Sequence, residues 1–297
     1  MRATAVVLAT LICAGCVTAQ LMARARSQGK ASEAGSVQTT AVPEGEVGLV
    51  LLKQGKFAEA TQDLQRAVRV EPGSWKYSLA LAEAFLASNY NFTGLRFLLN
   101  VKPRFQSLAE FHYILGLAYY LCYRYAEAIK QFETFPQNDP RFNRIPFLIG
   151  NCYMGMSDLK EASKYFRKAI SLNPTEADYY VSLAKMLRME GPAHLGEAIE
   201  VLNKALSLKP QDPYIRLHLA ACERGERDYK DAQAQLEQLI REHPKFQPAR
   251  LALAGIYEHD HDWAKARHER EIAAQLTPPK TFVDPRIGPV ASTTTPH

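Results

Sequence analysis

Apolar and small residues recur along this chain at helical spacing, and the pattern is clearest between Phe142 and Glu176. Ile149, Gly150 and Tyr153 share one face of a segment that reaches Met156. Ala162, Phe166 and Ala169 share one face of a second segment, from Leu159 to about Leu172. Ser157-Asp158 makes a polar turn between them, and Asn173-Pro174 ends the second segment because proline cannot continue a helix. Gly150 and Ala162 are small enough to let two antiparallel helices approach closely, with Tyr153 and Phe166 filling the remaining space. One such hairpin leaves an apolar face uncovered and needs neighbours.

The neighbours follow at a period of 34 residues. Stepping back gives Leu115-Gly116, Tyr119, Ala128, Phe132 and Pro140. Earlier units hold Leu81-Ala82, Phe85, Gly94 and Leu98, without the terminal proline, and Val47-Gly48, Leu51, Ala60, Leu64 and Pro72. Forward come Leu183-Ala184, Leu187, Ala198, Leu202 and Pro210, then Leu219-Ala220, Ala232, Leu236 and Pro244, and finally Leu253-Ala254, Tyr257, Ala266, Ala273 and Pro278. The fifth unit carries two extra residues near Gly191-Pro192, which should bulge at its helix turn. Pro136 should shorten the second helix of the third unit. In the last unit Arg270 stands where other units place Phe or Leu, which suits a terminal hairpin with no successor to pack against.

This pattern resembles the tetratricopeptide repeat (TPR) family, stacks of helix–turn–helix units. The resemblance implies an all-α fold, a right-handed α-solenoid of about seven repeats, at residues 41–74, 75–108, 109–142, 143–176, 177–212, 213–246 and 247–280. The family tryptophan near the start of each first helix is absent; Tyr180 is its nearest substitute, and Pro146 holds that place in the central unit.

Composition adds bounds. A net charge of +5, spread along the chain without a basic run interleaved with aromatics, gives no reason to expect a nucleic-acid partner. Arg2, an apolar run from Ala3 to about Ala14, and the small residues Val17-Thr18-Ala19 form the pattern of an export signal over residues 1–19. Ala14-Gly15-Cys16 also resembles a bacterial lipoprotein site with Cys16 as the lipid-bearing residue, although Cys13 replaces the usual Leu. We therefore expect a periplasmic, secreted or membrane-anchored protein, a flexible linker over 20–40, and a Pro- and Thr-rich disordered tail over 281–297. Cys122, Cys152 and Cys222 have no disulfide spacing and read as packed thiols.

No phosphate loop, nucleophile elbow, zinc-protease helix or paired Cys motif is present, so neither an enzyme nor a cofactor is expected. His259-Asp260-His261-Asp262 is the densest group that could hold a divalent metal, and it supports a minor alternative of a metal-dependent enzyme. Asn91-Phe92-Thr93 matches a glycosylation acceptor.

The family resemblance implies a protein or peptide partner held in a concave groove lined by the first helices. Projecting helical period onto that face selects Tyr113, Leu117 and Tyr120, then Arg144, Phe147, Asn151 and Met154, then Lys185, Arg188, Tyr214 and Arg224. Asn151 would bond a ligand backbone, the aromatics would take apolar side chains, and the arginines would pair with carboxylates. The carboxylate clamp of some family members is not matched, since Phe147, Tyr214 and His218 stand where its Lys and Arg would be. The expected function is an exported interaction scaffold for an envelope complex; the alternative is a noncatalytic subunit of a cell-envelope or secretion enzyme.

Overall fold

The computed structural model describes residues 44–137 and 139–276. The expected export signal with Cys16, the linker and the tail lie outside the described residues. Within them the secondary structure is fourteen α-helices and two short 3-10 turns, with no strand. The chain divides into two compact units between Thr134 and Phe135.

The first unit holds α1 (Glu44–Lys53), α2 (Phe57–Val70), α3 (Trp75–Ala87), α4 (Asn91–Phe105), α5 (Ala109–Leu121) and α6 (Tyr125–Glu133). They form three hairpins, and within the unit the second helices of the first two pack on the first helix of the hairpin that follows. Its core includes Leu51, Leu64, Tyr77, Leu81 and Phe85. α6 is only nine residues long, ending just before Phe135-Pro136 as expected. α4 is longer, at fifteen residues: the terminal proline is missing there, and the helix runs through Pro103 to bury Phe105.

The second unit holds α7 (Ile145–Gly155), α8 (Leu159–Leu172), α9 (Ala177–Glu190), α10 (Leu195–Leu208), α11 (Pro213–Gly225), α12 (Tyr229–Glu242), α13 (Gln247–His259) and α14 (Trp263–Gln275). Phe147, Phe166, Leu183, Leu187, Leu202 and Ile215 belong to one apolar cluster that runs through three of its hairpins. Pro192–His194 forms a 3-10 turn that absorbs the two extra residues of the fifth repeat. Arg270 on α14 is exposed and reaches back to Glu258 of α13 at 2.6 Å, so the last hairpin presents charge where earlier ones present Phe166 or Leu202.

Close helix approach depends on glycine at three equivalent places, Gly48, Gly116 and Gly150. A Cβ on Gly150 would lie 2.7 Å from Phe166 Cε1, and one on Gly116 would lie 2.5 Å from Phe132 Cε1. Both rings are fully buried, so neither can move aside cheaply.

Each hairpin turn places one residue in the left-handed region at the same point of the period. These are Gly55, Asn89, Tyr123, Ser157, Arg227 and His261, with φ between 60° and 74°; Gly191, at 127°, takes the place in the longer turn. In α8, α12 and α14 the next residue is an aspartate that accepts a backbone N–H of the first helical turn: Asp158 from Glu161, Asp228 from Asp231 and Asp262 from Lys265.

The missing tryptophans have polar replacements with a shared task. His112 Nε2 meets the Gln106 carbonyl at 2.7 Å, the Tyr180 hydroxyl donates to the Pro174 carbonyl at 2.9 Å, and Arg250 Nε donates to the Pro244 carbonyl at 3.2 Å. In each case a first helix ties down the chain six residues upstream, at the connection from the previous hairpin.

Candidate functional site

The residues projected onto the first-helix face fall into two classes. Tyr113 and Leu117 of α5 are buried, at 5 % and 4 % exposure, and Tyr113 packs at 6.4 Å from the Phe132 ring. Phe147 is likewise buried, 5.7 Å from the Phe166 ring and stacked on Tyr179. These three side chains hold hairpins together and leave little surface for a ligand, which corrects the expectation that they form a groove floor. Phe132 lies against Tyr113, and Phe166 and Tyr179 lie against Phe147. Tyr120 is half-buried against Tyr125, and Tyr214 is half-buried against Phe246 at 5.3 Å.

The remaining projected residues lie in the second unit. Arg144 is half-buried in the 3-10 turn before α7, and Met154 and Lys185 are half-buried on α7 and α9. Arg188 on α9 and Arg224 on α11 occupy equivalent places in successive first helices, and both are exposed. Neither guanidinium is paired with a carboxylate among the described residues. Arg224 extends towards α13, where a Cβ on Gly255 would sit 3.6 Å from its Nη1. It also borders a cavity of about 40 Å³ lined by Ala220, Ala221, Leu236, Ala252 and Ile256. The small residues at 221 and 255 keep this part of the face low around a cation.

Asn151 is the polar centre of the set. It is 6 % exposed, and its Oδ1 has no hydrogen-bond partner. A buried acceptor left unpaired costs about 1–3 kcal/mol.

Two carboxylates escaped the sequence reading. Glu83 on α3 is the repeat equivalent of Asn151, and burial pushes its pKa up to about 7. Glu223 on α11 is 8 % exposed with Oε2 unpartnered; burial first, then the nearby charges of Asp231 and Asp228, raise it to about 7. The available signal was the repeat period, which sets Glu83 in register with Leu49, Leu117 and Asn151.

The group from His259 to Asp262 does not assemble a metal centre. Asp262 caps α14 and pairs with Lys265, His261 supplies the left-handed turn residue, and His259 stacks on Tyr229 with ring centroids 3.6 Å apart. Among the described residues no group of three His, Cys, Asp or Glu is placed to hold a metal. Asn91 of the possible glycosylation sequence donates its Nδ2 to the Leu121 carbonyl at 3.4 Å. Burial raises the pKa of all three described thiols: Cys222 to about 11, Cys152 strongly upward, and Cys122 in the same direction.

Comparison with known proteins gives these geometries a family. Tetratricopeptide repeat profiles match residues 147–176 and, separately, 48–89 and 223–278. Human DnaJ homolog subfamily C member 7 is 33% identical over 129 residues, covering 37% of this chain and 23% of the relative. The chain therefore matches only about a quarter of the length of that curated relative. Among solved structures, the C-terminal part of a TPR repeat-containing protein from Cytophaga hutchinsonii aligns with a TM-score of 0.63 at 17% identity, over 82% of this chain and 98% of that one. Pseudomonas aeruginosa PilF aligns with a TM-score of 0.59 at 20% identity, over 70% and 93% respectively. These likenesses establish the α-solenoid fold, and together with the profile matches they identify the chain as a tetratricopeptide repeat protein.

Proposed function

We propose that the chain is an exported interaction scaffold whose second unit binds an extended, acid-bearing segment of a partner protein along its first-helix face. Proteins built from these repeats are generally non-catalytic scaffolds for protein partners. The observation that carries the reading is the pair of exposed, carboxylate-free guanidiniums of Arg188 and Arg224 at equivalent places on successive first helices. Side-chain or terminal carboxylates of the partner pair with the arginines. Lys185, one helical turn before Arg188 on α9, adds a half-buried positive charge. Export rests on the charged start, short apolar run and small-residue exit of the first nineteen residues; fractionation of cells expressing the full chain tests it directly. A role in assembling an envelope complex follows if the partner is itself an envelope protein.

The binding reading is tested by selecting peptides from a displayed random library on the immobilised chain. Selected sequences should be enriched in Asp and Glu. Their affinity should fall at least tenfold on Arg188→Glu/Arg224→Glu, in a variant whose melting temperature is not lowered. Neutral or basic selected peptides, or equal binding by the charge-reversed variant, would remove the proposal.

A further inference from the structure

The second helix of the second hairpin departs from its six counterparts. α4 contains no carboxylate, whereas the others carry Glu59, Glu127, Glu161, Glu197, Asp231 and Glu269 among their acids. Its charges are Arg96, Lys102 and Arg104. Its solvent side also holds large apolar residues: Phe92 is 74% exposed and Leu99 40%, with Tyr90 at 62% immediately before the helix. Phe92, Arg96 and Leu99 follow i, i+4, i+7 spacing and so form one stripe.

The repeat does not require these residues. The positions equivalent to Leu99 in the other hairpins are Gln65, Glu133, Arg167, Asn203, Glu237 and Glu271, all polar. Those equivalent to Phe92 are Ala, Lys or Gly. Two large apolar side chains therefore occupy places that every other hairpin gives to polar or small residues, on the one second helix with purely positive charge. The depression they border is bounded by Phe92, Thr93, Leu95, Arg96 and Leu99, all residues of α4 or its first turn, so no second helix walls it in.

We infer that this face of α4 docks on an anionic phospholipid surface, with Phe92 and Leu99 entering the acyl boundary, Tyr90 at headgroup level, and Arg96 and Lys102 against lipid phosphates. An unwalled basic–apolar stripe is the arrangement of interfacial helices. A partner helix would leave the sides of Phe92 wet, whereas a bilayer conforms around it. The chain's own terminal stretches do not complement the charge. Residues 1–43 carry Arg2, Arg24, Arg26 and Lys30 against Glu33, and residues 277–297 carry Lys280 and Arg286 against Asp284.

The test uses the full chain with Trp75→Phe and Trp263→Phe, so that Phe92→Trp supplies the single indole. With vesicles of phosphatidylcholine and phosphatidylglycerol its emission should move to the blue and be quenched by brominated acyl chains. Phosphatidylcholine alone should give little change, and about 0.5 M salt should reverse the shift. Arg96→Glu/Lys102→Glu should lower partitioning about tenfold or more, while Lys230→Glu/Arg241→Glu on α12 should not. The inference is overturned if the indole stays in water while the chain sediments with vesicles, which would place membrane contact elsewhere. It is equally overturned if no vesicle is bound, which would leave α4 to an acidic protein, or if the α4 charge reversal binds like the parent.

Discussion

Phe147 and Tyr179 stack across successive hairpins of the second unit, with ring centroids 4.7 Å apart and planes 27° from parallel. Their helices, α7 and α9, are separated in sequence by the whole of α8, so this contact fixes one hairpin against the next. Phe147→Ala should therefore act on stability before it acts on recognition. We expect a loss of about 3–5 kcal/mol, read as a lowered urea midpoint, with Tyr179→Ala non-additive in the double variant. A binding assay built on Phe147→Ala would report unfolding.

The left-handed turn positions give a prediction of opposite sign. Arg227 holds φ 67° with an exposed side chain, a conformation that costs an ordinary residue about 1–2 kcal/mol. Arg227→Gly should raise the unfolding midpoint by the equivalent of about 0.5–1 kcal/mol after the added freedom of the unfolded chain is counted. Gly55→Ala, at φ 74°, should lower it by a similar amount.

Glu83 makes stability depend on pH. Its folded-state pKa is about 7 against an ordinary 4.5, so the folded chain holds this proton more tightly than the unfolded one. The contribution of Glu83 to stability is then greatest below about pH 4.5, falls as pH rises towards 7, and levels off beyond it. Glu223 contributes with the same sign. Glu83→Gln should stabilise the chain at pH 8 by about 1–2 kcal/mol, less than the full shift implies because the side chain keeps some solvent contact. The same substitution should flatten the melting-temperature profile between pH 5 and 7. An unchanged slope would show that Glu83 stays hydrated.

Cys152, at 0% exposure, and Cys222, at 1%, have thiols whose burial opposes ionisation. Neither should react with a thiol reagent at pH 8 in the native chain, and both should react at once in denaturant. Mass mapping of the labelled cysteines reads this directly.

The hairpins were legible because their demands are periodic. Gly116 and Gly150 sit where a buried Phe leaves no room for a Cβ, and Phe132 and Phe166 recur at the same interval, so residue type alone marks each close approach. The short α6 and the charged Arg270 were legible for the same reason: a proline and an arginine break an otherwise regular pattern. The binding face was harder to read. Helical phase puts Phe147, Asn151 and Met154 on one side of α7, but it does not say how far the next first helix covers that side. Covering made Phe147 core and left Asn151 buried without a partner. Glu83 was missed because a lone glutamate in an apolar helix looks like a solvated one. The stripe on α4 was missed because Phe92 and Leu99 read as interior residues until their repeat equivalents are set beside them.

The turn after α9 has a practical consequence. Gly191 stands with open space around it, Ala193 and His194 face solvent, and two surplus residues are accommodated between α9 and α10. The chain has already taken an insertion at this point and resumed its period by Pro213. That makes Pro192–His194 the natural splice point for an epitope, a fluorophore-bearing loop or a reporter domain, placed where a foreign graft would leave both flanking helices undisturbed.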